Sequence, residues 1–354
     1  MIFENISNNN IKIIIIGGGW YGLHIYKYLL NNYKDFEIIL LEKNNLFFEN
    51  SSNYNQNRLH IGYHYPRSGI TRELCKIGYD KFIKEYRDVV DFIDKNYYLI
   101  SNDSIIDYDT FIKIYSDDNK YDHTIIQNKY FNNINKNIIN TKEKIINSEK
   151  VKEYFKKNID LNKIKFNYKV EKIEKKNNKI IVNSDLECNI LIDCSFNQLN
   201  LSKKEYIYEL TISLLYKKIV DVDFESLTIM DGDFFSLFPR DITKEKYTLT
   251  HVRYTPVIKS RDINEILNYK ITNEEVISIR KNMEKDVKIY YKEFKNNFEY
   301  IDYFTSYKCK LISKNDTREC NIEENNNIIT VNCGKITGIF EFEDYIKKYL
   351  NNYL

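Results

Sequence analysis

Proline is nearly absent from this 354-residue chain, with three residues, and glycine and tryptophan are scarce, with ten and one. That composition excludes a collagen-like or proline-rich extended chain. It also makes any cluster of glycines informative, because glycine is not drifting in by composition. The six cysteines, at 75, 188, 194, 309, 320 and 333, form no CxxC pair and no Cys/His spacing suited to zinc, so no metal site is expected. No run of about 18 apolar residues occurs, which predicts no membrane span. The opening MIFENISNNN lacks the basic and apolar regions of a secretory signal. Excess charge of one sign is missing too. With 53 basic and 51 acidic residues the net charge is +2, too little for a global field that grips nucleic acid or an anionic membrane. These absences predict a cytoplasmic protein with free thiols in a reducing compartment.

What is present is enough apolar mass for a core, at 43% hydrophobic and 15% aromatic residues. The length suits two domains, and these are expected to interleave. Asparagine, lysine, isoleucine and tyrosine are heavily used, as AT-rich codons would produce. Runs such as ENNNI are read that way.

Residues 11–16 (IKIIII) form the apolar run of a parallel strand buried on both faces. Leu23, Tyr26, Leu30 and Tyr33 then recur at helical spacing, and FEIILLEK (36–43) reads as a second buried strand ending on Glu42. A helix is expected over 71–95 through Leu74, Ile77, Phe82, Tyr86, Val90 and Ile93, and another over 148–158 capped by Ser148. Paired strands are expected around Asn177–Asn178, a buried strand over 189–195 stopping at Asp193, and strands over 206–256 with an Asp231–Gly232 turn. Helical periodicity returns over 263–296, and the chain closes as strand, CGKITG turn and helix. The expectation is α/β: a discontinuous Rossmann-type domain (1–99, 149–204 and 322–354) with an inserted antiparallel-sheet substrate domain (100–148 and 205–321).

The stretch GGGWYG carries G-x-G-x-x-G on Gly17, Gly19 and Gly22. Gly17 permits the sharp turn out of the strand, Gly19 lets a diphosphate approach the backbone, and Gly22 lets the helix sit close to the sheet. The helix start offers N–H groups and a partial positive charge to phosphate. Glu42, 20 residues beyond Gly22, is placed to accept ribose hydroxyls. Strand, glycine turn, helix, strand and terminal acid together predict dinucleotide binding. Trp20, Tyr21 and Lys43 flank this turn and strand end and join the candidate cofactor contacts.

The segment NYNQNRLHIGYHYPRSGITRELC (53–75) resembles FAD-dependent oxidoreductases of the D-amino-acid oxidase superfamily. It is most similar to L-2-hydroxyglutarate dehydrogenase in this loop, with Asn55, His60, Gly62, Tyr65, Leu74 and Cys75 in register. Pro66 and Ser68 arrive one position early, which implies a differently built turn. The resemblance covers about half the chain and implies FAD as cofactor. It makes Arg58, Leu59, Val170 and Cys194 candidate cofactor contacts, together with Gly334, Lys335, Ile336 and Thr337 of the closing turn, whose amides, with that of Gly338, would face the cofactor.

The resemblance implies that His60 lies at the active site as base or hydrogen-bond partner beside the flavin. An imidazole with an ordinary pKa of about 6.5 suits proton removal at neutral pH. His64 and Tyr65 are expected on the same face. Substrates of this superfamily carry a carboxylate, so an arginine clamp is expected from Arg58, Arg67, Arg253 or Arg318. Arg253, on an inserted strand beside His251, is preferred. Lys308 stands where many members carry arginine, which leaves room for a different substrate. Cys309 and Asp316 keep the spacing of a motif that holds flavin covalently, although a free buried thiol is the preferred reading of Cys309. His24 is expected to be structural, while His123 and His251 are left unassigned.

The expected activity is oxidation of a C–H beside an amine or hydroxyl on an amino-acid or 2-hydroxy-acid-like small molecule, by hydride transfer to FAD. With a single dinucleotide fingerprint, electrons would pass onward to oxygen, a quinone or another protein. The alternatives are a flavoenzyme modifying a sugar, nucleotide sugar or tRNA, and a non-catalytic nucleotide-binding module.

Overall fold

The isoleucines of the first run lie in the strand Lys12–Ile16, with Ile13, Ile14 and Ile15 wholly buried. A computed structural model describes residues 11–116, 121–177, 179–241, 243–312 and 320–353. The Lys12–Ile16 strand is buried on both faces because it has a parallel neighbour on either side, Glu37–Leu41 and Ile190–Asp193. The six-stranded sheet around it continues to Ile164–Lys165 at one edge and to Ile328–Asn332 and Asn321–Asn325 at the other. The last two form a hairpin whose turn residues, Asn326 and Asn327, both have positive φ (56° and 65°). Asparagine tolerates that conformation better than most residues.

The first helix, Trp20–Asn32, buries Leu23, Ile25, Tyr26 and Leu29. Its inward face therefore runs through Leu29, whereas Leu30 is only partly buried and Tyr33 ends the helix. On the sheet, Ile14, Ile16, Leu41 and Leu191 join Val170, Ile180, Val182 and Cys188 in one apolar cluster. Val170 thus sits in a core. The hairpin Ile173–Lys176 and Lys179–Val182 pairs Ile173 with Val182. Asn177 has φ 49° in the expected turn, and Asn178 lies outside the described residues.

The chain divides into two units. The first comprises Met1–Ser52, Lys152–Tyr206 and Cys309–Leu354, and the second Asn53–Val151 and Ile207–Lys308. Residues 53–99, placed with the Rossmann-type domain from sequence, group instead with the second unit. The reason lies in their pairing: Arg58–Leu59 and Val90–Phe92 pair with Lys144–Ile146, and Asn96–Ile100 joins the large sheet. Described residues of 309–321 group with the first unit.

The second unit is built on a nine-stranded sheet. It is mixed rather than antiparallel throughout, because Asn96–Ile100 runs parallel to Ser226–Met230. The helix Asn273–Tyr290 covers one core through Val276, Met283, Val287 and Tyr290. Its start is held by a reciprocal capping box between Thr272 and Glu275. A second cluster gathers Tyr63, Tyr98, Phe111, Tyr115 and Tyr121.

Two helices differ from expectation. The one expected over 71–95 runs Gly69–Tyr86, with Ser68 accepting from the Thr71 N–H. Thr71, Cys75, Gly78, Phe82 and Tyr86 form its buried face, Ile77 is exposed, and Val90 lies in a strand. The helix Ser148–Asn158 is capped by Asn147, whose Oδ1 accepts from the Glu149 and Lys150 N–H groups at 3.2 Å. Ser148 is the first helical residue, one place too late to cap. Region 100–148, weakly patterned in sequence, holds the helix Tyr108–Ser116 and three short strands. Strands this short give periodicity too few residues to register.

A β-carbon on Gly22 would lie 1.9 Å from the Gly17 carbonyl oxygen. Gly22→Ala therefore forces helix and turn apart and is expected to cost at least the roughly 1–3 kcal/mol typical of overpacking. Urea unfolding of the purified variant checks this, and a wild-type midpoint would contradict it.

Candidate active site

In the first unit, the carboxyl ends of parallel strands converge on the glycine turn. Gly17 adopts φ +105°, and its N–H donates to the Leu41 carbonyl at 2.8 Å. A β-carbon at Gly17 would meet the Cys194 carbonyl at 2.8 Å, and one at Gly19 would meet Ser52 Oγ at 2.6 Å. Gly19 begins the helix without a side-chain cap, and no acid lies in the first turn. That leaves the helix start suited to an anion. Ser52 Oγ accepts from the Trp20 N–H at 3.1 Å, a contact with no signal in the local sequence.

Glu42 is 7% exposed, and its carboxylate closes the turn. Oε2 accepts from the Gly18 N–H at 2.6 Å, and Oε1 from Asn44 N and Nδ2 at 2.8 and 2.9 Å. A carboxylate has about four lone-pair sites, so acceptor capacity remains. Lys43 reaches Gln198 at 2.7 Å.

Trp20 is buried and packs edge-on against Phe48 and Phe155. The Tyr21 hydroxyl donates to the Lys335 carbonyl at 2.7 Å, tying the first helix to the closing turn. Burial first, and then the neighbouring Cys333 and Cys320 thiols, push the Tyr21 hydroxyl well up. Those thiols lie one step past the paired Asn321 and Asn332, in the same register. The closing turn holds Gly334, where an added β-carbon meets nothing within 4 Å, and the short helical turn Ile336–Gly338, which contains Thr337.

Among the described residues, Asp193 Oδ2, Thr330 Oγ1 and Asn332 Oδ1 are buried without a hydrogen-bond partner. Thr330 pairs with Asp193 across the sheet, so these orphans gather at the strands' carboxyl ends. Burial pushes the Asp193 carboxyl up. A polyhydroxylated, diphosphate-bearing ligand supplies the hydroxyl groups that such acceptors lack, and the glycine turn supplies its N–H groups. The residues fit the group. Burial pushes the Cys194 thiol well up. Burial and the Asp193 carboxylate push the Cys309 thiol up to about 12, which opposes a reactive thiolate. Asp316 and Arg318 lie outside the described residues.

In the second unit, the His60 loop is held around a buried carboxylate that sequence reading missed. Glu143, between the strands Ile138–Thr141 and Lys144–Ile146, is wholly buried. Its Oε1 accepts from the Ile61 N–H at 3.0 Å and lies 3.5 Å from His60 Nδ1. Its Oε2 accepts from the Tyr98 hydroxyl at 2.5 Å and lies 3.8 Å from Arg58 Nη1. Tyr98 also meets His64 Nδ1 at 2.6 Å. The His60 and His64 rings are 4.5 Å apart, and the Tyr65 ring is 6.2 Å from that of His60. Burial pushes the Glu143 carboxyl up, but His60, Arg58 and His64 overcome that and hold it well below its ordinary range.

Arg58 is committed to the protein. Its guanidinium donates to Tyr98 (2.9 Å), Thr228 (3.0 Å) and Ser236 (2.7 Å), and lies 4.1 Å above the Phe238 ring. A side chain so enclosed does not clamp a substrate carboxylate. Leu59 beside it is buried. Arg253 lies in the turn after Lys246–His251 rather than on a strand, exposed and 3.2 Å from Asp233. Arg67 is exposed and paired with Asp231 at 2.7 Å. His251 is buried between Asp286, 3.2 Å from Nε2, and the Arg253 N–H. His24 is buried 2.9 Å from Glu343, and His123 Nδ1 faces the Tyr121 carbonyl.

His60, His64 and Glu143 each offer one ligand atom within 4.8 Å of the others. The same carboxylate already faces the Arg58 cation and takes the Tyr98 proton. Glu143 left no sequence signal because it lies 82 positions from Ile61, whose amide it receives.

No protein-family model matches the chain. It is 26% identical to an FAD-dependent monooxygenase, FPY4, of Fusarium mangiferae over 330 residues, covering 92% of this chain and 87% of that protein. In structure it resembles NikD, an unusual amino acid oxidase essential for nikkomycin biosynthesis (TM-score 0.70, 8% identity, 94% and 92% of the two chains covered). It also resembles the FAD-bound L-alpha-glycerophosphate oxidase of Mycoplasma pneumoniae (TM-score 0.67, 14% identity, 94% and 92% covered). The fold is therefore that of FAD-binding oxidoreductases with a Rossmann-type domain and a sheet domain. No helix among the described residues is long and apolar enough to cross a membrane.

The depressed Glu143 carboxyl has a consequence for acid stability. The unfolded state takes up this proton near 4.5 and the folded state only at lower pH. Its contribution is complete above the unfolded value and drains away as pH falls. Glu143→Gln is expected to flatten the loss of unfolding free energy below pH 4.5, measured by denaturant titration across pH. An unchanged slope would contradict it.

Proposed function

We propose that the chain is an FAD-dependent oxidoreductase that oxidises a small molecule at a carbon bearing an amine or hydroxyl. The observation that carries this reading is the coexistence of two sites. The first unit holds the uncapped glycine turn with Glu42 closing it, and the second holds a histidine pair anchored on a buried carboxylate. The near full-length similarity to an enzyme named an FAD-dependent monooxygenase supports the choice of cofactor.

Gly17, Gly19 and Gly22 keep β-carbons away from the diphosphate, and the first helix directs its N–H groups to it. Glu42 exchanges a protein donor for a ribose hydroxyl. The amides of Gly334, Lys335, Ile336 and Thr337 supply further donors. When bound, the flavin supplies a hydride acceptor. His60 takes the proton from the substrate's O–H or N–H as hydride leaves the adjacent carbon, so the C–O or C–N bond gains its second pair and charge balances. His64 and Tyr65 shape the same surface, and a substrate carboxylate would compete with Asp233 for Arg253. An amino acid or 2-hydroxy acid offers such a carbon, in line with the loop's similarity to L-2-hydroxyglutarate dehydrogenase. Oxygen, a quinone or a protein then takes the electrons.

The purified protein is expected to be yellow, and candidate amino and hydroxy acids should bleach it without oxygen. Colourless protein that FAD does not reconstitute would overturn the reading. Bleaching by a nicotinamide alone would favour the oxygen-inserting chemistry implied by the name of the Fusarium relative. His60→Ala is expected to keep its flavin spectrum while kcat/KM falls roughly 10²–10⁴-fold, the usual weight of a general base. Stopped-flow flavin reduction measures this, and an unaltered rate would remove His60 from the chemistry.

A further inference from the structure

The contacts of Tyr98 and Glu143 decide which nitrogen of each histidine carries the lone pair. The Tyr98 hydroxyl has one proton and two acceptor sites. Arg58 Nη1, always a donor, fills one acceptor site at 2.9 Å. Glu143 Oε2, at 2.5 Å, belongs to a carboxylate that has no proton to give, so it receives the Tyr98 proton. His64 Nδ1, at 2.6 Å, then faces the remaining lone pair of Tyr98. Only an N–H can sit there, because two lone pairs at that separation repel. The same reasoning applies to His60. Its Nδ1 is 3.5 Å from Glu143 Oε1, which also receives the Ile61 N–H. An N–H toward that oxygen is attracted and a lone pair is repelled.

We propose that Glu143 is a positioning residue that sets the tautomer of both histidines, directly for His60 and through Tyr98 for His64, so that each carries its proton on Nδ1 and presents Nε2 as the base. This rests on His60 being the proton acceptor of the proposed oxidation. It adds that His64 is prepared in the same way, giving a two-histidine base built on one carboxylate. Arg58 has a defined part in it. By filling one lone pair of Tyr98 and lying 3.8 Å from Glu143, it keeps the carboxylate charged and directs the hydroxyl proton one way. The arrangement also accounts for burying a carboxylate completely: its bonding sites are used to orient other groups.

The test reads tautomers directly and does not depend on turnover. Full-length protein labelled with ¹⁵N-histidine is examined by two-bond ¹H–¹⁵N correlation near pH 8, with His60→Gln and His64→Gln giving the assignments. Both residues are expected to show a protonated Nδ1 and an unprotonated Nε2. Tyr98→Phe should move His64 toward the Nε2–H form and leave His60 unchanged, whereas Glu143→Gln should release both. Nε2–H at either residue in the wild type, or an unmoved His64 in Tyr98→Phe, overturns the proposal, as does a stoichiometric metal ion bound by the two rings. The wild-type spectrum and the milder Tyr98→Phe variant keep the test decisive if Glu143→Gln does not fold. If the protein carries flavin and turns over, Glu143→Gln should also lower kcat/KM by roughly 10²–10⁴-fold, as losing a correctly protonated base does. A protein without flavin refutes the oxidoreductase reading while the tautomers are still measured. Nε2–H histidines in a yellow, active enzyme refute only this inference.

Discussion

Glu143 is an ionised carboxylate with no access to water, and the second unit is organised to make that tolerable. An isolated charge in such a place would cost several kcal/mol or would neutralise by taking a proton. Here a guanidinium, a phenol, a backbone amide and two imidazoles surround it. The guanidinium, the amide and both imidazoles come from residues 58–64, and the phenol and the carboxylate from elsewhere in the chain. Arg58 and His60 belong to one loop and strand, Tyr98 to the middle of the large sheet, and Thr228 and Ser236, which hold Arg58, to strands well over a hundred residues further on. The cluster therefore forms only when the sheet has its strands in register, with Tyr98 opposite Thr228. The proposed site and a folding constraint coincide in the same few side chains.

The first unit is organised by a different constraint, close approach. Parallel strands end together, and the backbone turns from strand to helix in a space that no β-carbon shares. The Gly17 carbonyl lies where a Gly22 side chain would be, and the Cys194 carbonyl lies where one at Gly17 would be. Glu42 then folds back on the turn and receives the Gly18 amide. Tyr21 extends this arrangement to the closing turn by its bond to Lys335, which explains an aromatic in the middle of a glycine motif. Trp20 does something simpler, filling the core beside Phe48 and Phe155.

Five histidines illustrate how burial separates roles. His24 and His251 are almost fully buried, each against a carboxylate on another element, and act as packing residues with a polar tether. His123 faces a carbonyl two residues away. His60 and His64 differ, because they are only partly buried and share a network with a carboxylate that is wholly buried. In the proposed oxidation, partial exposure leaves room for a substrate and the buried carboxylate sets the orientation of the rings.

Local chemistry was enough for the sequence to determine the strand, glycine turn and helix of the first unit. A buried strand, three glycines in a glycine-poor chain, a helix and a terminal acid all lie within about thirty residues, and each has a meaning independent of the rest of the fold. The crowding of histidines in the 57–68 loop is likewise local, and the structure brings His60 and His64 together. Tertiary structure alone decided the partners of that loop. The fate of Arg58 depended on strands near 228 and 236, and the choice of Glu143 over many other acids depended on which carboxylate the sheet brings beneath His60. Helix faces slipped by a residue or ended early where a neighbouring strand took the chain, as at Val90, because hydrophobic period records burial without naming the surface that buries. A carboxylate's sign and size are written in its own letter. Its burial, its proton and its partners are set by residues that approach it only after the chain has folded.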